Sequence, residues 1–347
     1  MESIFELWRI GMDCLLKRQL TIQKIISLFH NLMRGFFFRS SFVYGLPSVL
    51  VVEPTDVCNL KCLGCGFQQE NGIDAIKRSF LSLDTYKKVI DDAKENALLL
   101  FPFMGGEPFL HPDIFEIIQY AEERKIATII STNGNFSVEN WEERLLDSGL
   151  DRIVFSISGT TQEVYKRYHK GGDLNLVFKN IEALVKEKRK RNVRFPRIYL
   201  RYLAFPENRV DKGNAKKISI KLGVDYLEIR QDNNWLFNEI DTIDQNKIYR
   251  GKNKIPNFCF WLWTTMVINS KGEVRPCCFE YFNIPKLGNV HQESIVKIWH
   301  SLQYNSFRKQ ILKNRKHLKS CVKCNTRIGF QGQAFLHDSK SGAIIDS

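Results

Sequence analysis

The chain has 347 residues, 44% hydrophobic and 26% charged, with a formal net charge of +13. This balance excludes a disordered or fibrous chain, and the length allows one barrel-sized domain, alone or with an appendage. The positive charge is diffuse, and its densest run, Lys186 to Arg191, closes a predicted helix with no interleaved aromatics, which disfavours a nucleic-acid surface.

Residues 1–46 are amphipathic and basic, with Trp8, Leu15, Leu16, Ile25, Ile26 and Phe29 interrupted by Arg9, Lys17, Arg18, Lys24 and Arg34. No uninterrupted run reaches membrane-spanning length, and no small-residue cleavage site follows an apolar core, so neither a span nor a signal peptide is expected. Two readings remain. The favoured one is helices packed on the domain that follows; the other is peripheral membrane contact through residues such as Trp8 and Phe36-Phe37-Phe38.

From Val49 strands and helices alternate. Strands are predicted at 49–53, 97–104, 126–131, 153–158, 198–205 and 226–230, with helices at 83–96, 113–124, 138–146, 176–190 and 210–222. Repeated βα units imply a parallel sheet, and right-handed crossovers curl six of them into an open, partial (β/α)6 TIM-like barrel over residues 47–232. Ligands in such folds sit at the carboxyl ends of the strands, so the loops after them carry the chemistry.

The first of those loops holds Cys58, Cys62 and Cys65 within eight residues. Three soft thiolates on one loop select zinc, copper(I) or an iron-sulfur cluster, and their converging charge calls for a metal. A zinc knuckle with a distant fourth ligand and a local disulfide are the alternatives, weakened because no fourth Cys or His is near. Nine cysteines, eight of them in two groups and Cys14 alone, also fit metal in a reducing cytoplasm better than a disulfide framework. A cubane held by three cysteines leaves one iron open for an amino and carboxylate group. The Cys-x3-Cys-x2-Cys spacing resembles the signature of the radical S-adenosylmethionine (AdoMet) superfamily. That resemblance implies a 4Fe-4S cluster whose open iron binds AdoMet and whose electron cleaves it to a 5'-deoxyadenosyl radical, with a flavodoxin- or ferredoxin-type electron donor.

The following loops carry the resemblance further. Gly105-Gly106-Glu107-Pro108 resembles the motif that binds the methionyl amino group, with glycines for close approach and Glu107 as acceptor. Thr132 and Asn133, before Gly134, match a segment bordering the cofactor. Ser156 and Ser158 are expected to point the same way and reach ribose hydroxyls. The chain departs from the family at three points: Ser158 replaces an aspartate, His169 stands where arginine is common, and Gly64 replaces an aromatic residue, with Phe67 as a nearby substitute. Arg201 is a candidate carboxylate partner, or pairs structurally. Leu227 and Ile229 could pack on adenine, with core packing the default.

Residues 233–328 hold a second set of thiols. Thr264 to Ile268, the turn 269–272 and Glu273 to Arg275 read as a hairpin that brings Cys259 and Cys277 to one end. A helix from Ile295 to Leu312, with Ile298, Trp299, Leu302 and Phe307 inward, returns the chain toward Cys321 and Cys324. Four such thiols hold either structural zinc or a second cluster. The pattern resembles the SPASM/twitch extension of radical enzymes, which implies one auxiliary 4Fe-4S cluster. Cys278 is spare: an alternative ligand, a hydrogen-atom donor or a buried thiol. Residues 329–347, rich in Gly, Ser and Asp, are expected to fray or act as a lid.

The expected function is abstraction of a hydrogen atom from a sugar, aminocyclitol or similar natural-product intermediate, giving oxidation or epimerisation. Modification of a ribosomally made peptide stands close behind. A zinc-bearing basic scaffold for nucleic acid is the non-enzymatic rival.

Overall fold

The structure is a computed structural model that describes residues 2–63, 65, 79–231, 257–278, 285–318, 321 and 334–338. The amino-terminal part forms helices α1 (Glu2–Leu16) and α2 (Ile22–Leu32), the second extended by a π turn at Met33–Phe37. The barrel then follows as β1 (Val49–Val52), α3 (Leu83–Ala93), β2 (Leu99–Phe101), α4 (Ile114–Glu123), β3 (Ala127–Thr132), α5 (Trp141–Asp147) and β4 (Arg152–Ile157). It continues through α6 (Gln162–Tyr168), α7 (Leu174–Lys190), β5 (Arg197–Ala204), α8 (Lys212–Leu222) and β6 (Tyr226–Gln231). The carboxyl-terminal part contributes α9 (Trp261–Thr264), β7 (Thr265–Ile268), β8 (Glu273–Arg275), β9 (Gly288–Asn289), α10 (Ile295–Trp299), α11 (Leu302–Asn314) and β10 (Ala334–Asp338).

Strands β1 to β6 lie side by side in sequence order, all parallel, as successive right-handed crossovers require. One face of each strand packs under the helices: Leu50, Leu100, Ile130, Phe155, Leu200 and Leu227 are buried in one core with Ile90, Ile117, Ile181 and Ala215. Leu227 therefore belongs to that core and not to a nucleotide face. The opposite face lines the barrel interior, where Ile129, Val154 and Tyr199 pack with Ile10, Phe101 and Tyr226. Helix α1 thus closes the interior at the amino ends of the strands, and Arg9 lies over the Tyr226 ring at 4.2 Å.

The hairpin is not a separate lobe. Strand β7 pairs in parallel with β1 along its length, Val49 opposite Thr265 and Val52 opposite Ile268, so the barrel sheet runs on through β8 and β9. At the other edge, β10 pairs antiparallel with β6, so Ala334–Asp338 of the expected frayed tail are strand. The expected helix over 295–312 is two helices, because Ser301 caps a new one by accepting from the Tyr304 amide at 3.2 Å. The break turns Leu302 out to 80% exposure, while Ile298, Trp299 and Phe307 stay inward as expected.

Candidate active site

The loop after β1 is held from three sides. Gly106 lies so close beneath it that a Cβ there would come within 2.2 Å of the Thr55 carbonyl oxygen and 2.7 Å of that of Val57. The Glu107 amide donates to the Val57 carbonyl at 2.8 Å. From the far side, the amides of Lys61 and Leu63 donate to the carbonyls of Lys170 and Tyr168 at 3.0 and 2.8 Å. The loop carries Cys58, Cys62 and Cys65, all half-buried. Burial pushes the Cys58 thiol up to about 11 and raises Cys62 further, with Cys58 and Cys65 adding to the Cys62 shift by their own charge. Thiols that raise one another in a half-buried loop suit a metal centre that neutralises them. Among the described residues, no three His, Cys, Asp or Glu gather as they would around a single ion. The donor set is all sulfur, which fits an iron-sulfur cluster.

Glu107 is buried, and burial pushes its carboxyl up to about 7. Its Oε1 accepts from the Thr132 hydroxyl at 2.6 Å and the Phe109 amide at 3.3 Å, and its Oε2 accepts from the Asn133 amide at 2.8 Å. A carboxylate has about four acceptor positions, so one remains on Oε2. The Asn133 side-chain amide in turn lies 3.0 Å from Asn59 Oδ1 and 3.8 Å from Cys58 Sγ. Gly134 follows with φ of 72°, the left-handed turn its sequence anticipates. The second and third loops are thereby tied to each other and to the cysteine loop.

Ser158 and His169 depart from expectation. Both are buried and hydrogen-bonded to each other, Oγ to Nδ1 at 2.7 Å, and the imidazole stacks on Tyr165 at 4.6 Å. Burial lowers His169 to about 3, so it is neutral at physiological pH and carries no charge for a carboxylate. The chain turns after Ile157, which sends Ser158 inward and leaves only Ser156 half-buried on the barrel face. The His169 segment instead braces the cysteine loop through the Tyr168 and Lys170 carbonyls.

Arg201 is paired. Its Nε donates to Glu228 Oε2 at 2.7 Å, and Arg230 Nε donates to Glu228 Oε1 at 2.6 Å. Burial alone would raise Glu228, but the two guanidiniums hold it down to about 2. Ser156, Arg201 and Glu228 are in register on β4, β5 and β6, one rung above Val154, Tyr199 and Tyr226. The interior therefore has an apolar floor and a polar layer above it, with net positive charge.

Two residues of this framework were not singled out as site residues in the sequence. Glu53 is buried at the end of β1; its Oε1 accepts from the Gly105 amide at 2.7 Å and its Oε2 from the Ser270 amide at 3.1 Å, joining the second loop to the hairpin turn. Its signal is a lone acid closing an apolar strand just before the thiols. Glu228 is legible as an acid between two arginines in the Arg201 and Arg230 registers, which only strand pairing reveals.

In the carboxyl-terminal part, Cys259, Cys277, Cys278 and Cys321 are half-buried. Burial raises the Tyr304 hydroxyl, and the charges of both Cys277 and Cys259 add to the shift, so each thiol lies on the Tyr304 side of the hairpin. Arg308 and Arg315, both buried, donate to the carbonyls of Leu262 and Phe258 at 2.8 and 2.6 Å and fix the turn that carries Cys259. Cys324, Gly64 and Phe67 lie outside the described residues.

Residues 52–211 match a family described as the Radical SAM superfamily, and residues 259–325 match an iron-sulfur cluster-binding domain, SPASM. A relative from Pyrococcus furiosus, the tungsten-containing aldehyde ferredoxin oxidoreductase cofactor-modifying protein, is 27% identical over 80% of this chain and 87% of its own length. A probable GTP 3',8-cyclase from Methanococcus maripaludis is 32% identical over 38% of this chain and 43% of its own length. In fold, the chain is similar to Streptococcus suis SuiB bound to its precursor peptide SuiA, with a TM-score of 0.60 and 18% identity over 81% of this chain and 71% of that one. Both halves of the protein, the parallel barrel with its three-thiol loop and the thiol-bearing hairpin, thus lead to one assignment: the chain belongs to the radical SAM superfamily, is an enzyme that uses AdoMet and 4Fe-4S clusters, and carries a SPASM domain.

Proposed function

We propose that this enzyme takes a hydrogen atom from a carbon of a small, hydroxyl-rich intermediate, of the sugar or aminocyclitol type, and oxidises or epimerises it. The carrying observation is the polar rung of Ser156, Arg201 and Glu228 above a closed apolar floor. Such a layer offers donors and acceptors to hydroxyl, amino or carboxylate groups that enter from the carboxyl ends of the strands. The Pyrococcus furiosus relative, named for modifying a cofactor, also supports a small molecule as substrate.

In this reading Cys58, Cys62 and Cys65 hold the first cluster, and Cys259, Cys277, Cys321 and Cys324 hold the second. When bound, the first cluster supplies the single electron that cleaves AdoMet. The remaining work is the chain's own. Glu107 offers its last acceptor position to the AdoMet ammonium, while the bonds from Thr132 and Asn133 keep the carboxylate from turning away. Arg201 and Arg230, fixed in place on Glu228, orient an anionic or hydroxylated group. The floor built on Ile10 excludes water from below, so that a reactive carbon radical meets only the intended C–H bond.

Anaerobic protein with reductant, AdoMet and perdeuterated sugars or aminocyclitols tests this directly. Deuterium in 5'-deoxyadenosine supports the reading. If only peptide fractions raise 5'-deoxyadenosine release above the substrate-free rate, the substrate is a peptide and the proposal fails.

A further inference from the structure

Helix α2 is packed with its polar side inward. Helix α2 carries Ile22, Ile25, Ile26 and Phe29 at the spacing that ordinarily buries a stripe, yet these side chains are 78%, 51%, 48% and 58% exposed. Lys24, Ser27 and Asn31, on its other side, are buried. Specific bonds fix this orientation. Lys24 Nζ donates to the Lys125 carbonyl at 2.5 Å and Asn31 Nδ2 to the Leu46 carbonyl at 2.9 Å. Just before α2, Lys17 pairs with Asp151 at 3.0 Å, and in α1 Asp13 pairs with Arg152 at 2.8 Å. Rotating α2 to hide its apolar stripe would leave those buried polar groups without partners, at about 1–3 kcal/mol each, so the exposed stripe is a stable part of the fold. The apolar surface continues into the π turn, where Phe36, Phe37 and Phe38 are 53%, 67% and 67% exposed.

We propose that this face docks on the anionic surface of a lipid bilayer, lying in the interface with the aromatic turn inserted. Charge selects the occupant. From Cys14 to Val52 the chain contains Lys17, Arg18, Lys24, Arg34 and Arg39 and no Asp or Glu. Lys17 and Lys24 are turned inward on internal bonds, whereas Arg18, Arg34 and Arg39 stand at the surface around the apolar face; Arg34 lies over the Tyr44 ring at 4.7 Å, and Arg39 also donates to the Asn257 and Leu312 carbonyls at 3.1 Å. A second copy of the chain would bring two such cationic rims together. Acidic headgroups complement the rim, and the acyl boundary takes Ile, Phe and Trp side chains without needing a matched shape. No helix among the described residues is long and apolar enough to cross a membrane, so the contact is peripheral. Lys125 and Asp151 precede β3 and β4, so the face lies at the amino ends of the strands, and docking leaves the opening at their carboxyl ends turned toward water.

The test is sedimentation of the full chain with vesicles of phosphatidylcholine alone or mixed with phosphatidylserine, with gel filtration alongside. The wild type is expected to pellet with the mixed vesicles, less so as salt rises, and to partition about tenfold less onto phosphatidylcholine alone. Two independent variants, I25E/F29E and F37S/F38S, touch only exposed side chains. Each is expected to lose about tenfold or more in partitioning while keeping the wild-type circular dichroism spectrum and iron content. Wild type left in the supernatant with mixed vesicles overturns the proposal, as do variants that pellet like wild type. A wild-type dimer that I25E/F29E converts to monomer, without vesicle binding, assigns the face to a second copy and also overturns it.

Discussion

Asn133 presents its side-chain amide to the Cys58 sulfur at 3.8 Å while its main-chain amide is fixed on Glu107 at 2.8 Å. One residue thus links the acid of the second loop to a thiol of the first. Hydrogen bonds to cluster sulfurs raise reduction potential. Asn133→Ala keeps the main-chain bond and removes the contact to sulfur, so the first cluster should become harder to reduce and AdoMet cleavage should slow by about tenfold, the equivalent of one modest hydrogen bond. A redox titration followed by electron paramagnetic resonance reads the shift; an unchanged potential means the contact does nothing to the cluster.

Gly106→Ala places a methyl group 2.2 Å from a backbone oxygen that cannot swing aside. The cysteine loop must lift, at about 1–3 kcal/mol. The purified variant should carry about four irons in place of about eight, with a lower unfolding temperature, because the carboxyl-terminal thiols are untouched. Full iron content in the variant would mean that the loop accommodates the methyl group without moving its thiols.

Glu228 sets a pH window. Its folded-state value of about 2 lies below the ordinary 4.5, so the stability it contributes is fully present above about pH 4.5 and is lost as pH falls toward 2. Glu228→Gln should therefore cost about 3 kcal/mol at pH 7, with the difference from wild type shrinking below pH 4.5. Urea unfolding of both proteins at several pH values checks the sign; a gap that widens on acidification contradicts it.

Cys277→Ala should halve the iron content, to about four, and leave the first cluster's AdoMet-dependent spectral change in place. Cys278→Ala should keep about eight irons. If epimerisation, as opposed to oxidation, is the reaction, Cys278→Ala should also stop deuterium incorporation from heavy water into product while 5'-deoxyadenosine release continues. Unaltered incorporation removes Cys278 as hydrogen donor.

Much of this was legible from spacing. The period-two and 3.6-residue patterns located the six barrel strands and a helix after each of the first five, though not the short α6, and the thiol spacing announced the first loop before any geometry was known. What escaped was tertiary. Ser158 and His169 look like ligand contacts in a linear motif, but the chain turns after Ile157 and stacks them beneath Tyr165. Arg201 looked available until the register of β5 on β6 set Glu228 beside it. The amphipathic amino terminus announced two faces, and only the partners of Lys24 and Asn31 show which of them is turned inward.

The pairing of β7 with β1 has an electronic consequence. Cys58 to Cys65 follow the carboxyl end of β1, whereas Cys259 and Cys277 flank the amino end of β7, so the two sulfur groups stand at opposite ends of a shared four-residue ladder. About 13 Å of paired strand separates those ends. If clusters sit on these two groups of thiols, as proposed above, charge passing between them crosses a span set by this ladder, and its rate should stay the same whether or not substrate has arrived.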